Sequence, residues 1–282
     1  MREESAVNFA CGDARLYGIL HLPPAALPVP ALTRGVLIVV GGPQYRAGSH
    51  RQFTLLARAL AAGGVPVMRF DYRGMGDSEG ELRDFSAVDD DLRAAVDHFF
   101  AGVPGMTEVA LWGLCDGATA AGMYAAGDRR VTGLALLNPW IRTDSGIATA
   151  TLKHYYRGRV LEPAFWLKLL GGRFDARRAL RSALGLIRTA LAPAPVGAGA
   201  ALPDRLLAAL ARFDGRLLVM LSGADLTAQE FNGQASGSDG WRRLLASPRV
   251  TRHWLDLADH TCSRRPWQDQ VSGWTRDWIG SW

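Results

Sequence analysis

Gly113-Leu114-Cys115-Asp116-Gly117 is the stretch best suited to chemistry. It follows the apolar run Val109-Ala110-Leu111-Trp112 and passes into the small residues Ala118, Ala120, Ala121 and Gly122. A strand that turns sharply into a helix through Gly-x-Cys-x-Gly lifts the cysteine above the sheet edge. Side chains at the two glycines would crowd the neighbouring strand and helix. The helix N-terminus adds partial positive charge, which favours thiolate, the reactive form of Cys115. A structural cysteine in a glycine-rich turn would show the same five residues, so the rest of a catalytic set must be sought elsewhere.

A cysteine nucleophile needs a base to take its proton and an acid to orient that base. Asp225 follows the apolar segment Leu217–Leu221, beyond a strand's carboxyl end, where sites gather in open α/β sheets. It is also placed to cap a helix starting at Leu226 or Thr227, which is compatible with catalysis. His260 stands just after the last strand, Thr251–Leu257. The order Cys115, Asp225, His260, each at a strand end, predicts a nucleophile–acid–base set. Rival acids are less well placed: Asp214 precedes its strand, Asp256 is expected inside one, and Asp259 adjoins His260. Of the other histidines (His21, His50, His98, His154, His253), only His50 is near enough to the Gly41–Tyr45 loop to be a candidate substrate contact. Cys262, two residues past His260, is a candidate redox partner for Cys115.

Attack on a carbonyl also needs donors for the developing oxyanion. One is expected from the backbone N–H of Asp116 and a second from Gly41-Gly42-Pro43-Gln44-Tyr45. Pro43 has no N–H, which leaves Gly42, with Gln44 as the alternative. The turn Asp71-Tyr72-Arg73-Gly74-Met75-Gly76-Asp77-Ser78 reads as architectural, with Arg73 paired locally. Gly41-Gly42 is not followed by Gly-Lys-Ser/Thr and no dinucleotide pattern forms, so no cofactor is expected. The histidines and cysteines lack ligand spacing, so no metal is expected either.

The elements that must position these residues alternate. A hairpin is expected from Val7-Asn8-Phe9 and Leu16–Leu22, turning at Cys11-Gly12-Asp13. Strands follow at Gly35–Val40, Val65–Phe70, Val109–Leu114, Val131–Leu137, Leu217–Leu221 and Thr251–Leu257. Helices are expected at His50–Ala62 and Val88–Phe100, with a last one at Pro266–Ile279 whose Trp267, Val271, Trp274 and Trp278 form a core-facing stripe. This pattern predicts an α/β fold with a mainly parallel, doubly wound sheet. Residues 139–211 interrupt the alternation and are read as a helical cap insertion within a single domain spanning 1–282. Arg173, Arg177, Arg178, Arg181 and Arg188 in that stretch would form a solvated face or meet an anionic substrate.

The chain has 282 residues, of which 48% are hydrophobic and 21% charged, as in an ordinary globular protein. Its net charge of +5 is carried almost wholly by arginine, since lysine occurs only at Lys153 and Lys168. The arginines are interspersed with acids and no nucleic-acid module is visible, so no nucleic-acid partner is expected. No apolar run approaches a membrane span and no signal segment is visible, so a cytoplasmic location is expected. The 3 scattered cysteines, Cys11, Cys115 and Cys262, fit a reducing compartment better than a disulfide framework.

With these residues in view, the chain resembles the α/β-hydrolase superfamily over nearly its whole length. Within it, Gly41-Gly42-Pro43-Gln44-Tyr45-Arg46, Phe70–Ser78 and Gly113–Gly117 are similar to the type-one hydrolases of the exosortase A system, which accompany bacterial exopolysaccharide and protein-sorting gene sets. A cysteine at the elbow is also similar to dienelactone hydrolases and to the longer polyhydroxyalkanoate synthases, which use Cys-Asp-His sets in this fold. The resemblance implies a hydrolase fold and a bacterial context, while the residues themselves predict a hydrolase of a small-molecule acyl substrate, an ester or thioester. Acyl transfer to a sugar or other alcohol is the alternative, and a non-catalytic interaction protein on the same fold is a third reading.

Overall fold

The computed structural model describes residues 4–25, 33–42, 44–142 and 200–282. Residues 143–199 lie outside the described residues, and with them most of the expected cap and its arginines. An 8-stranded sheet in the order β1-β2-β4-β3-β5-β6-β7-β8 forms the centre. Its strands are β1 Glu4–Cys11, β2 Ala14–His21, β3 Arg34–Val39, β4 Val67–Asp71, β5 Glu108–Leu114, β6 Val131–Leu137, β7 Arg216–Ser222 and β8 Val250–Leu255. The expected hairpin is present: β1 and β2 pair antiparallel, and β2 pairs antiparallel with β4. From β4 through β3, β5, β6 and β7 to β8 every pairing is parallel.

Parallel strands covered on both faces must be apolar throughout, because neither face meets water. β3 shows this, with all six residues buried. Its side chains alternate between two cores, as the pleat requires. Leu37 and Val39 join one cluster, while Val36 and Ile38 join the other.

Helices α1 Gln52–Ala62, α2 Asp89–Gly102, α3 Asp116–Tyr124, α4 Leu202–Arg212, α5 Leu226–Gly237, α6 Asp239–Leu245 and α7 Arg265–Ile279 cover the sheet. α1 and α7 bring Phe53, Leu56, Leu60, Val271 and Trp278 to one face. α2 to α6 bring Leu92, Phe99, Ala121, Leu206, Phe231 and Trp241 to the other. α4, the last part of the 139–211 stretch, thus packs into the main core through Leu206 and Leu210. The aromatic stripe of α7 faces inward: Val271 and Trp278 are buried, and Trp267 and Trp274 pack against the same cluster. Burying each large apolar side chain contributes about 1.5–3 kcal/mol.

Candidate active site

β5 ends at Leu114, and Cys115 turns the chain into α3 with φ 59° and ψ −126°. This left-handed backbone is unfavourable for a non-glycine residue and must be held by its surroundings. Four backbone bonds do so: Cys115 N–H donates to Leu137 O at 2.9 Å, while Ala118 and Trp140 N–H donate to Cys115 O at 3.1 Å each and Thr119 N–H at 3.2 Å. The two glycines allow the close packing. A Cβ at Gly113 would stand 2.5 Å from Ala118 N, and one at Gly117 would stand 2.6 Å from Val39 O.

The structure brings His260 and Asp225 together, with Nδ1 facing Asp225 Oδ2 at 2.9 Å. Asp225 also caps α5, accepting from Thr227 N–H at 3.2 Å and Ala228 N–H at 3.0 Å. One buried carboxylate therefore caps a helix and orients an imidazole. Burial disfavours a charged ring at His260, but hydrogen bonds and negative charge from Asp225 and Cys115 override it and push the ring's pKa up to about 10. The rival acids are elsewhere. Asp214 is exposed, and Asp259 accepts from Ser263 N–H at 2.9 Å. Asp256, expected within the last strand, lies just past its end and is exposed, because the chain turns at Leu255, whose carbonyl accepts from Gly223 and Ala258.

Asn138, which the sequence pattern does not single out, links the three loops. It is fully buried and has φ 48°. Its Nδ2 donates to Ser222 Oγ and to the His260 carbonyl at 3.0 Å each, and its Oδ1 accepts from Ser222 N–H at 2.8 Å. The end of β6 is thereby tied to the end of β7 and to the His260 loop. An asparagine directly after an apolar strand was the available signal, since Asn tolerates left-handed backbone better than most residues.

The loop after β3 is fixed from the β4 turn. Tyr72 OH donates to the Val40 carbonyl. Fully buried Asp71 accepts from Arg46 N–H at 2.6 Å and pairs with the Arg46 guanidinium, which also reaches Asp77 at 2.6 Å. Arg73 pairs with Asp91 of α2 at 2.7 Å. Gly42 has φ 59°, and its N–H, expected to face an oxyanion, donates to Asp116 Oδ2 at 2.7 Å. The alternative residue, Gln44, keeps a buried side-chain Oε1 without a partner among the described residues.

His50 is exposed with φ 53°, close enough to Asp259 to help hold that carboxyl below its ordinary range, where burial opposes the charge and the Ser263 bonds favour it. Cys262 is buried, with Sγ 3.9 Å from Ser222 Oγ, and burial pushes its thiol up to about 11. Among the described residues no group of His, Cys, Asp or Glu is arranged to hold a metal ion, and no helix is long and apolar enough to cross a membrane.

Comparisons with known proteins agree with this fold. The family model described as serine aminopeptidase, S33 matches residues 33–178. An esterase from Pyrococcus furiosus superposes with a TM-score of 0.66 at 15% identity, covering 99% of this chain and 91% of its own. Est1E from Butyrivibrio proteoclasticus, solved with ferulic acid bound, gives 0.62 at 17% identity, with 97% of both chains covered. An α/β serine hydrolase without a lid from Xanthomonas campestris gives 0.59 at 17% identity, covering 100% of this chain and 98% of its own. No curated protein matches. The chain belongs to the serine aminopeptidase S33 family and has the α/β-hydrolase fold.

Proposed function

We propose that this member of the serine aminopeptidase S33 family cleaves an ester or thioester through an acyl-enzyme on Cys115, at the position where the family's name implies serine. The observation that carries this reading is the 2.9 Å pairing of His260 with Asp225 beside a cysteine held at φ 59° on the elbow. The Cys115 thiol proton resides on His260, leaving a thiolate, and Asp225 holds the resulting imidazolium. The sulfur adds to the substrate carbonyl carbon, and the oxygen, now negative, is received by the Asp116 N–H and by Gly42, with Gln44 as the alternative donor. Collapse expels the alcohol or thiol, which leaves with the proton from His260. Water, deprotonated by the same ring, then attacks the Cys115 thioester and frees the acid.

Thiolate leaves a tetrahedral intermediate more readily than an amine does, which favours esters and thioesters over amides. The motif resemblance to exosortase-associated hydrolases supports a bacterial exopolysaccharide setting, where the acyl group would come from a small molecule. The test is turnover of p-nitrophenyl esters and acyl thioesters by the wild type, Cys115→Ala and Cys115→Ser, with and without prior iodoacetamide. Turnover abolished by Cys115→Ala and by alkylation is expected. Turnover surviving both would overturn the reading.

A further inference from the structure

Asp116 carries its own anion into the place where the reaction must create one. Its Oδ2 accepts from Gly42 N–H at 2.7 Å and its Oδ1 from Gly117 N–H at 3.1 Å. The first of these donors, the Gly42 N–H, is one that the proposed reaction assigns to the oxyanion, and the carboxylate lies on the residue that carries the other. The loop is drawn tightly over the carboxylate: a Cβ at Gly41 would stand 2.1 Å from Asp116 Oδ1. An N–H committed to a carboxylate cannot stabilise a second negative oxygen, and two such charges in contact repel.

We propose that the Asp116 carboxylate is a resident occupant of the oxyanion site that substrate must displace, so that Asp116 gates acylation of Cys115. The inference rests on the cysteine-nucleophile reading above. Opening requires only that the side chain rotate away, because the Asp116 N–H belongs to the backbone and stays in place. Burial raises the carboxyl above the ordinary aspartate range, against the Gly42 and Gly117 N–H bonds that lower it, which makes the group easier to neutralise and release. The gate would favour substrates that draw or push this carboxylate out of the site over simple neutral esters.

The experiment compares wild type, Asp116→Ala and Asp116→Asn in two assays. The first is kcat/KM for p-nitrophenyl acetate. The second is inhibition by butanal, whose carbonyl carbon bonds to the Cys115 sulfur while its oxygen enters the oxyanion site and takes the proton from His260. Emptying the site should raise kcat/KM about 10-fold in Asp116→Ala and tighten butanal binding to a similar degree, a fraction of what one oxyanion donor is worth. Asp116→Asn should gain less, since its amide oxygen still accepts from Gly42 but bears no charge. Equal or lower kcat/KM with unchanged butanal affinity in Asp116→Ala would overturn the gate. If Asp116→Ala does not fold, Asp116→Asn decides: a gain supports the gate and no gain overturns it. Butanal binding in none of the three proteins, the wild type included, would remove the nucleophile reading and this inference with it. Binding of equal strength in all three would remove the inference alone.

Discussion

The Asn138 side-chain amide donates to the main-chain carbonyl of His260 at 3.0 Å, joining the strand beside the nucleophile to the loop that carries the base. The same amide group is bonded to Ser222, at the end of the strand leading to Asp225. Asn138 thus sets the spacing between the acid and base loops without itself touching the reacting atoms.

Replacing Asn138 with alanine leaves the buried Ser222 N–H without its partner, which costs about 1–3 kcal/mol. Replacement with glycine keeps the φ 48° backbone unstrained and isolates the loss of the bonds. Both variants should lower kcat more than they raise KM, with a reduced midpoint in chemical denaturation. Unchanged kcat in a destabilised Asn138→Ala would show that the residue has no positioning role.

Asp225→Asn keeps an oxygen to cap α5 but removes the charge that, with Cys115, holds the His260 ring protonated. Proton NMR of the ring should show the titration midpoint falling from about 10 towards the ordinary histidine value. Activity should fall about 100-fold or more. The pH dependence of stability carries the same sign. A histidine whose pKa is raised on folding contributes fully below the unfolded value near 6.5, and that contribution disappears as pH rises to about 10. The stability gap between wild type and Asp225→Asn should therefore narrow across that window; a gap that widens would contradict the pairing.

Arg46→Ala strands the fully buried Asp71 carboxylate beneath the oxyanion loop. Removing one partner of a buried pair costs about 3–5 kcal/mol. Burial already raises the Asp71 carboxyl despite the opposing Arg46 charge, and without that charge it rises further. A carboxyl with a raised folded-state pKa favours folding as pH falls. Denaturation of the variant should therefore show its deficit shrinking between pH 7 and pH 5, and a deficit constant over that range would place the loss elsewhere.

Much of the fold was legible because its signals are local. From Val36 to Val39 the β3 run is apolar since it faces two cores, and the α7 tryptophans recur at helical spacing. Cys115 and Asp225 stand out because each follows a largely apolar strand, and His260 because it comes after the last strand in the order nucleophile, acid, base. Asn138 also follows an apolar strand, but its function lies in hydrogen bonds to residues 84 and 122 positions away, which no local pattern marks. The same holds for the Asp116–Gly42 contact, which spans 74 positions and depends on how closely two loops approach. Arg73 was expected to pair locally, and its partner is Asp91 on α2, 18 positions on, where packing brings the helix against the turn.

Intact-protein mass spectrometry after mixing with p-nitrophenyl esters and acyl thioesters, followed by peptide mapping, tests the central claim most directly. Catalysis through Cys115 requires a mass increase equal to the acyl group, located on Cys115, cleared by water and absent in Cys115→Ala. An acyl adduct on any other residue, or one that forms equally in Cys115→Ala, would contradict it.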